Sequence, residues 1–265
     1  MKSLIYLLIV LSIYTPRNIF SRDHQYSQYV SANAEKLEEA LDKISRTELK
    51  ARFEASLSDI YHSAGLKKQG MNYDVFRKGM IGYYNMRNKN LLNDKEIVTI
   101  IDYSMPSTLK RLWIVDIKNK QVLEHTLVAH GKNTGEDLAM QFSNKPGTHM
   151  SSLGFYTTYG TYKGKHGTSL IIDGLDKEYN ANAKIRSIVI HGASYVCESF
   201  ISQNGRLGRS HGCPAIPMDK TLEIIELIKD GTCIYIHHEG QEFNSEFLNE
   251  HLAIDTYAKY SHPGW

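Results

Sequence analysis

The sequence predicts an α+β protein in which a helical N-terminal segment precedes a β-rich, sandwich-like domain. Two observations carry this. Up to about residue 90 the apolar residues recur at helical spacing among charged neighbours, and from Glu96 onward they gather in short runs divided by turn signals. A third sets the scale: 265 residues, 42% of them hydrophobic, are enough to bury a substantial core. Many strands with few helices favour a sandwich or a partly closed barrel. The expected divisions are 1–21 as a signal peptide, 22–94 as the helical segment, 95–240 as the β-rich domain and 241–265 as a C-terminal tail.

Each element has its own warrant. Lys2 precedes an uncharged run, Ser3 to Tyr14, whose 12 residues fall short of a bilayer-spanning helix. A positive start before such a run reads as a secretory signal, with Ile19-Phe20-Ser21 as its expected end and an exported, periplasmic or envelope protein as its product. No stable membrane span is expected, and no nearby cysteine offers a lipid anchor. Leu37, Leu41 and Ile44 keep the spacing of a first helix. Ser45-Arg46-Thr47-Glu48 fits a capping box, and Leu49, Phe53, Leu57 and Ile60 continue an apolar face to about Ala64. Gly65 and Gly70 break that helix. A third, from Tyr73 to Arg87, sets Phe76, Met80 and Tyr83 on one side. These helices carry no chemical constellation, so packing is their expected role.

The strand candidates follow in order. Residues 97–101, 112–117 and 121–129 come first, the last two joined by a turn at Lys118-Asn119-Lys120. Residues 152–158, 169–173, 187–191 and 232–237 complete the set. Met218, Leu222 and Ile225 mark one helix, stopped at Gly231. Beyond Glu239 the chain is polar, with a short helix at most.

Composition excludes several classes. Thirty-one Lys and Arg against 29 Asp and Glu leave no basic excess for binding nucleic acid. Removing residues 1–21 takes away Lys2 and Arg17 and no acid, so the remainder is balanced at 29 against 29. Recognition of an anionic partner must then be local. Three cysteines are too few for a disulfide scaffold and leave at least one thiol unpaired. Cys197 and Cys233 suit either a bridge or two buried free thiols.

Two segments carry chemistry. Ile188-Val189-Ile190-His191-Gly192-Ala193 is a strand that ends on a histidine followed by glycine. Gly205-Arg206-Leu207-Gly208-Arg209-Ser210-His211-Gly212-Cys213-Pro214 is an irregular, glycine-rich loop ending on a cysteine. Such a loop can turn successive N–H groups toward one point, as an oxyanion hole requires. A half-exposed cysteine beside arginines is expected to have a lowered thiol pKa. A histidine at a strand end is a rigidly placed base for its proton. Either residue alone is most often structural, and the sequence does not by itself bring the two together.

The same residues resemble the active-site signature of the murein L,D-transpeptidase catalytic domain: a His, a spacer, then Ser-x-Gly-Cys. The likeness takes in Lys145-Pro146-Gly147, Gly164 to Leu170, and the Gly-Arg-Leu-Gly-Arg and Cys-Pro-Ala segments. It spans roughly residues 97–237. The resemblance implies Cys213 as nucleophile, His191 as general base and the Gly192 carbonyl as the group that orients the imidazole. It implies an oxyanion hole from the N–H groups of His211, Gly212 and Cys213, with the Ser210 hydroxyl supporting the loop. The reaction implied is acyl transfer on peptidoglycan stem peptides, with no cofactor, through a thioester at the L-centre of a position-three diamino acid.

Two departures matter. Eighteen residues separate His191 from Ser210, slightly more than the family spacer, and Ala215 stands where the family commonly carries an arginine. Arg206 and Arg209 are the candidates to bind a substrate carboxylate, with His166 and Tyr156 lining the cleft. His130, His149 and His166 have no ligand spacing, so no metal is expected. Rival outcomes are an L,D-carboxypeptidase or endopeptidase that uses water, and a non-catalytic wall-binding module. Oligomeric state is not legible.

Overall fold

The computed structural model describes Lys36, Lys43, residues 45–165 and residues 167–261. The expected signal peptide, its end at Ile19-Phe20-Ser21, and Leu37, Leu41 and Ile44 lie outside these residues. The chain forms two compact units, 1–51 and 52–265. In the first, Lys43 and residues 45–50 are helical. The capping-box reading is therefore corrected: Ser45 lies inside helix, and the Thr47 hydroxyl donates back to Lys43 O at 2.8 Å.

The second unit begins with a helical stretch, α1 (52–63), that buries Phe53, Leu57 and Ile60. Helix α2 (Tyr73–Asn88) starts at Asn72, whose side chain accepts the Asp74 N–H at 2.7 Å. A last helix, α5 (Glu250–Ser261), packs on α2. Arg77 of α2 joins the three, holding Glu54 at 2.5 Å and Glu250 at 2.7 Å. Asn85 gives its amide to Phe247 O at 2.7 Å and Asn249 O at 2.9 Å. The tail after residue 240 is thus built into this unit.

A single eight-stranded mixed sheet occupies the rest. Its strands are β1 (Ile97–Asp102), β2 (Leu112–Asp116), β3 (Gln121–Thr126), β4 (Gly154–Gly164), β5 (Gly167–Gly174), β6 (Val189–Ala193), β7 (Ala215–Pro217) and β8 (Cys233–His237), in the order β3-β2-β1-β8-β4-β5-β6-β7. Strand alternation assigns the faces. Ile97, Ile101, Leu112, Ile114, Ile234 and Ile236 enter one core with Ile224, Ile225 and Ile228 of α4 (Thr221–Ile228). On the opposite face α2 packs against β1 and β8.

The two edges of the sheet nearly meet. Beyond β3, Ala129 exchanges both backbone bonds with Ala215 of β7, at 2.8 and 3.2 Å. Lys132 N–H then reaches Ser210 O at 2.8 Å, and Ser210 N–H reaches His130 O at 3.0 Å. This contact covers edges that would otherwise offer unpaired N–H and C=O groups. It also pins the segment that carries Ser210 and Cys213. Strand β3 is shorter than expected, since it ends at Thr126 and Ala129 pairs with β7 instead. β7 and the short helix α3 (Glu198–Asn204) were not among the expected elements.

Candidate active site

β6 lies between β5 and β7, and its register sets the site. Antiparallel pairing puts Ser169 opposite His191, and parallel pairing puts His191 opposite Ala215. Adjacent strands run about 4.8 Å apart. Cys213, two residues ahead of Ala215, therefore opens on the same cleft as His191. His191 is 3% exposed and its Nδ1 lies 2.9 Å from Gly192 O. A carbonyl only accepts, so this contact assigns the ring proton to Nδ1 and leaves Nε2 without a proton in the neutral imidazole.

The loop before Cys213 is held from inside. The Ser210 hydroxyl donates to Cys213 O at 2.6 Å and accepts the Gly212 N–H at 3.0 Å. Gly212 has φ +119°, a conformation that an L side chain rarely adopts. Its carbonyl accepts the Ser151 hydroxyl at 3.2 Å, and that hydroxyl accepts the Gly131 N–H at 3.0 Å. The Gly212 N–H, expected to take part in an oxyanion hole, donates to the Ser210 hydroxyl.

The expected electrostatics of the cysteine are also corrected. Cys213 is half-buried, and burial pushes its thiol pKa up rather than down. The Val189 N–H, the Arg186 guanidinium and Lys165 act against that rise without overcoming it. At rest the thiol lies 3.8 Å from Ser187 O. Ser187 has φ +54°, a left-handed backbone that turns this carbonyl toward the sulfur. Cys197, by contrast, is held below the usual thiol range by the Ser199 hydroxyl and the Phe200 N–H. Cys233 is fully buried in β8, where desolvation pushes it up. All three cysteines are free thiols, so Cys197 and Cys233 are not bridged.

The cleft has a volume of about 360 Å³. Lys165, Arg186 and Arg209 line it, with Tyr162 and Tyr195, and no lining residue is acidic among those described. Arg209 spends Nη1 on Lys132 O, Gly135 O and Glu136, the last at 2.5 Å. Arg206 does not line the cleft; its Nε pairs with the other oxygen of Glu136 at 2.8 Å. Tyr156 is not in the cleft either. It is fully buried, with its hydroxyl 2.8 Å from Ser152 Oγ, because β4 is covered on both faces at that point. His166 lies outside the described residues. His211 is exposed at the rim and stacks on His149, ring centroids 4.3 Å apart.

Sequence reasoning missed Arg186, Ser187, Ser151, His149, Tyr162 and Tyr195. Their only signal was local. Arg186 immediately precedes, and Ser187 opens, the strand expected at 187–191 that ends on the candidate base, which is where a site-facing side chain would be sought.

The geometry can be set beside known proteins. A sequence model of the L,D-transpeptidase catalytic domain, of the YkuD_2 type, matches residues 67–237. Among solved structures, one similar chain is an L,D-transpeptidase from Mycobacterium smegmatis, at 12% identity and TM-score 0.34, covering 54% of this chain and 58% of that one. Another is an L,D-transpeptidase from Mycobacterium tuberculosis, at 14% identity and TM-score 0.32, covering 54% and 57%. A third is the helical cell shape determining protein Pgp2 from Campylobacter jejuni, at 12% identity and TM-score 0.40, covering 69% and 64%. The chain spans less than two thirds of the length of each of these structures. No curated protein sequence matches it.

Proposed function

The chain belongs to the L,D-transpeptidase catalytic-domain family, and on that premise we propose that it transfers acyl groups on peptidoglycan stem peptides through a thioester on Cys213. One observation carries the reading. Parallel pairing of β6 and β7 opens His191 and Cys213 on one cleft, with the imidazole fixed as the Nδ1–H tautomer by Gly192. A base so oriented has Nε2 left to take a proton.

The steps follow from the chemistry. His191 Nε2 removes the Cys213 thiol proton as the sulfur attacks the carbonyl at the L-centre of the third stem residue. Negative charge on the tetrahedral oxygen is met by the Cys213 N–H and by the cations of the cleft. Collapse breaks the amide, and the imidazolium returns its proton to the departing D-residue amine. A side-chain amine of a second stem, deprotonated by His191, then attacks the thioester and releases the sulfur as leaving group. The imidazolium reprotonates the thiolate and the enzyme is restored.

The raised thiol pKa of Cys213 keeps the sulfur protonated at rest, so a base such as His191 is needed to take its proton. Arg209 and Lys165 give the cleft the means to bind a stem carboxylate; Arg209 retains Nε and Nη2 after its contacts through Nη1. Arg206 holds Glu136 and so sets the position of Arg209. An envelope location follows from such a substrate.

Incubation with disaccharide-tetrapeptide, followed by mass analysis of the products, tests the reading. The expected result is dimers linked between two diamino acids, absent with Cys213→Ala. Tripeptide monomer alone would assign water as the acceptor, and no product from the wild type would overturn the enzyme reading.

A further inference from the structure

Beneath the loop that carries Cys213 lies a cation with no counter-ion among the described residues. Arg186 donates Nη1 to Ser143 O at 2.7 Å and to Ser152 Oγ at 3.2 Å, and Nη2 to Met150 O. Every one of these acceptors is neutral. Among the described residues no carboxylate pairs with it, whereas Arg77, Arg206 and Arg209 each hold a glutamate. A half-buried guanidinium that is hydrogen-bonded yet unneutralised keeps its full charge for whatever anion forms beside it.

That place adjoins the loop that carries the sulfur. A Cβ built on Gly212 would stand 3.1 Å from Arg186 Nη2, so the guanidinium abuts the loop one residue before Cys213. Arg186 and Cys213 line the same cleft. The left-handed Ser187 links the two, since it follows Arg186 and aims its carbonyl at the thiol. That carbonyl suits S–H and repels a thiolate, so ionisation requires a positive charge from elsewhere in the cleft.

We propose that Arg186 is a positioning residue whose fixed charge holds the Cys213 thiolate, acting from beneath the loop through the space beside Gly212. The inference rests on Cys213 being the nucleophile. Other groups facing the sulfur are His191, His211, Lys165, Tyr195 and Arg209 from the cleft, and Tyr103 from the core. Lys165 is exposed, and water screens its charge. Arg186 is the cation locked in place by neutral partners on three separate residues.

The test is the rate of Cys213 alkylation by iodoacetamide between pH 6 and 11 on the full chain, with the labelled cysteine located by peptide mass. An opposite charge within about 4–6 Å displaces a pKa by about 1–3 units. Arg186→Gln is expected to slow alkylation of Cys213 at pH 7 about tenfold and to move the midpoint of the profile upward. Arg186→Lys keeps the charge and is expected to stay within about threefold of wild type. Ser152→Ala removes one tether but no charge, and the wild-type midpoint is expected.

An unchanged midpoint in Arg186→Gln overturns the proposal. So does a shift in Ser152→Ala or Arg186→Lys equal to that in Arg186→Gln, because tethering would then be the whole role. Should Arg186→Gln fail to fold, Arg186→Lys decides: a wild-type midpoint supports the proposal and a raised one overturns it. A wild-type Cys213 that resists alkylation throughout would overturn the nucleophile reading as well, which separates the two failures.

Discussion

Gly192 offers a steric test of how the base is held. Its carbonyl fixes His191 Nδ1 at 2.9 Å, and its Cα faces α4 across almost no space. A Cβ at this position would lie 2.1 Å from Thr221 Oγ1, 3.0 Å from Met218 Sδ and 3.2 Å from Thr221 Cβ. The first distance falls about 1.3 Å short of ordinary contact, and Thr221 is not free to swing aside because Oγ1 donates to Pro217 O at 3.0 Å. Met218 is 52% exposed and can move. Gly192→Ala must therefore push β6 from α4 by the better part of an ångström. Overpacking of this kind costs about 1–3 kcal/mol, which in a chain this size lowers Tm by about 2–4 °C per kcal/mol. Displacing a catalytic group by about 1 Å can cost about 100-fold in rate.

The assay is kcat for tripeptide release beside a thermal melt, with a suppressor as the control. Thr221→Ala removes Oγ1 and leaves a Cβ that needs to yield only a few tenths of an ångström. Gly192→Ala/Thr221→Ala is expected to recover at least tenfold of the lost kcat, although Thr221→Ala alone costs about 1 kcal/mol for its bond to Pro217. Wild-type kcat in Gly192→Ala, or no recovery in the pair, would refute the argument that this packing aims the imidazole.

Other outcomes are expected from the same geometry. Ser210→Ala removes two bonds inside the nucleophile loop, each worth about 1 kcal/mol, and is expected to lower kcat about 30-fold, with Ser210→Thr restoring much of it; kcat within threefold of wild type would count against the loop account. Glu136→Gln frees Arg206 and Arg209 from an exposed carboxylate, so KM for the tetrapeptide is expected to change by more than twofold while kcat does not; an unaltered KM would remove Arg209 from substrate binding. Acid should destabilise the fold. Burial holds His130 and His237 at about 4, below the unfolded value of about 6.5. The unfolded chain thus binds more protons between those values, so stability is fully present above pH 6.5 and is lost as pH falls toward 4. Asp176, raised by burial, acts in the opposite sense. Thermal melts from pH 7 to 4 check the balance, and a flat Tm would contradict it.

How much of this was legible in the sequence depends on the range of the contacts. Helix α2 was legible from its helical apolar spacing, and β1 and β8 from continuous apolar runs of their own. β7 was not: three residues containing Pro217 have no period, and they form a strand only because Ala129 and His191 flank them. α3 was missed for a similar reason, since none of its residues is buried. Tyr156 was expected in the cleft, but residues 154–158 of β4 are buried on both faces and the ring lies in the core. At the site, His191, Gly192 and the Ser210 to Cys213 loop were legible as a pattern of residue types. Arg186 had only its place just ahead of that strand as a signal, because the Ser143, Met150 and Ser152 groups that hold it lie about 34 to 43 positions away along the chain.

The proposed thioester on Cys213 is tested most directly by where the acyl group is carried. Acid-quenched wild-type protein, mixed briefly with disaccharide-tetrapeptide and digested, should yield one modified peptide: the one containing Cys213, heavier by the disaccharide-tripeptide acyl group and cleared by hydroxylamine. Cys213→Ala should carry no such mass. Turnover without any adduct on Cys213, or an adduct that persists in Cys213→Ala, would contradict it.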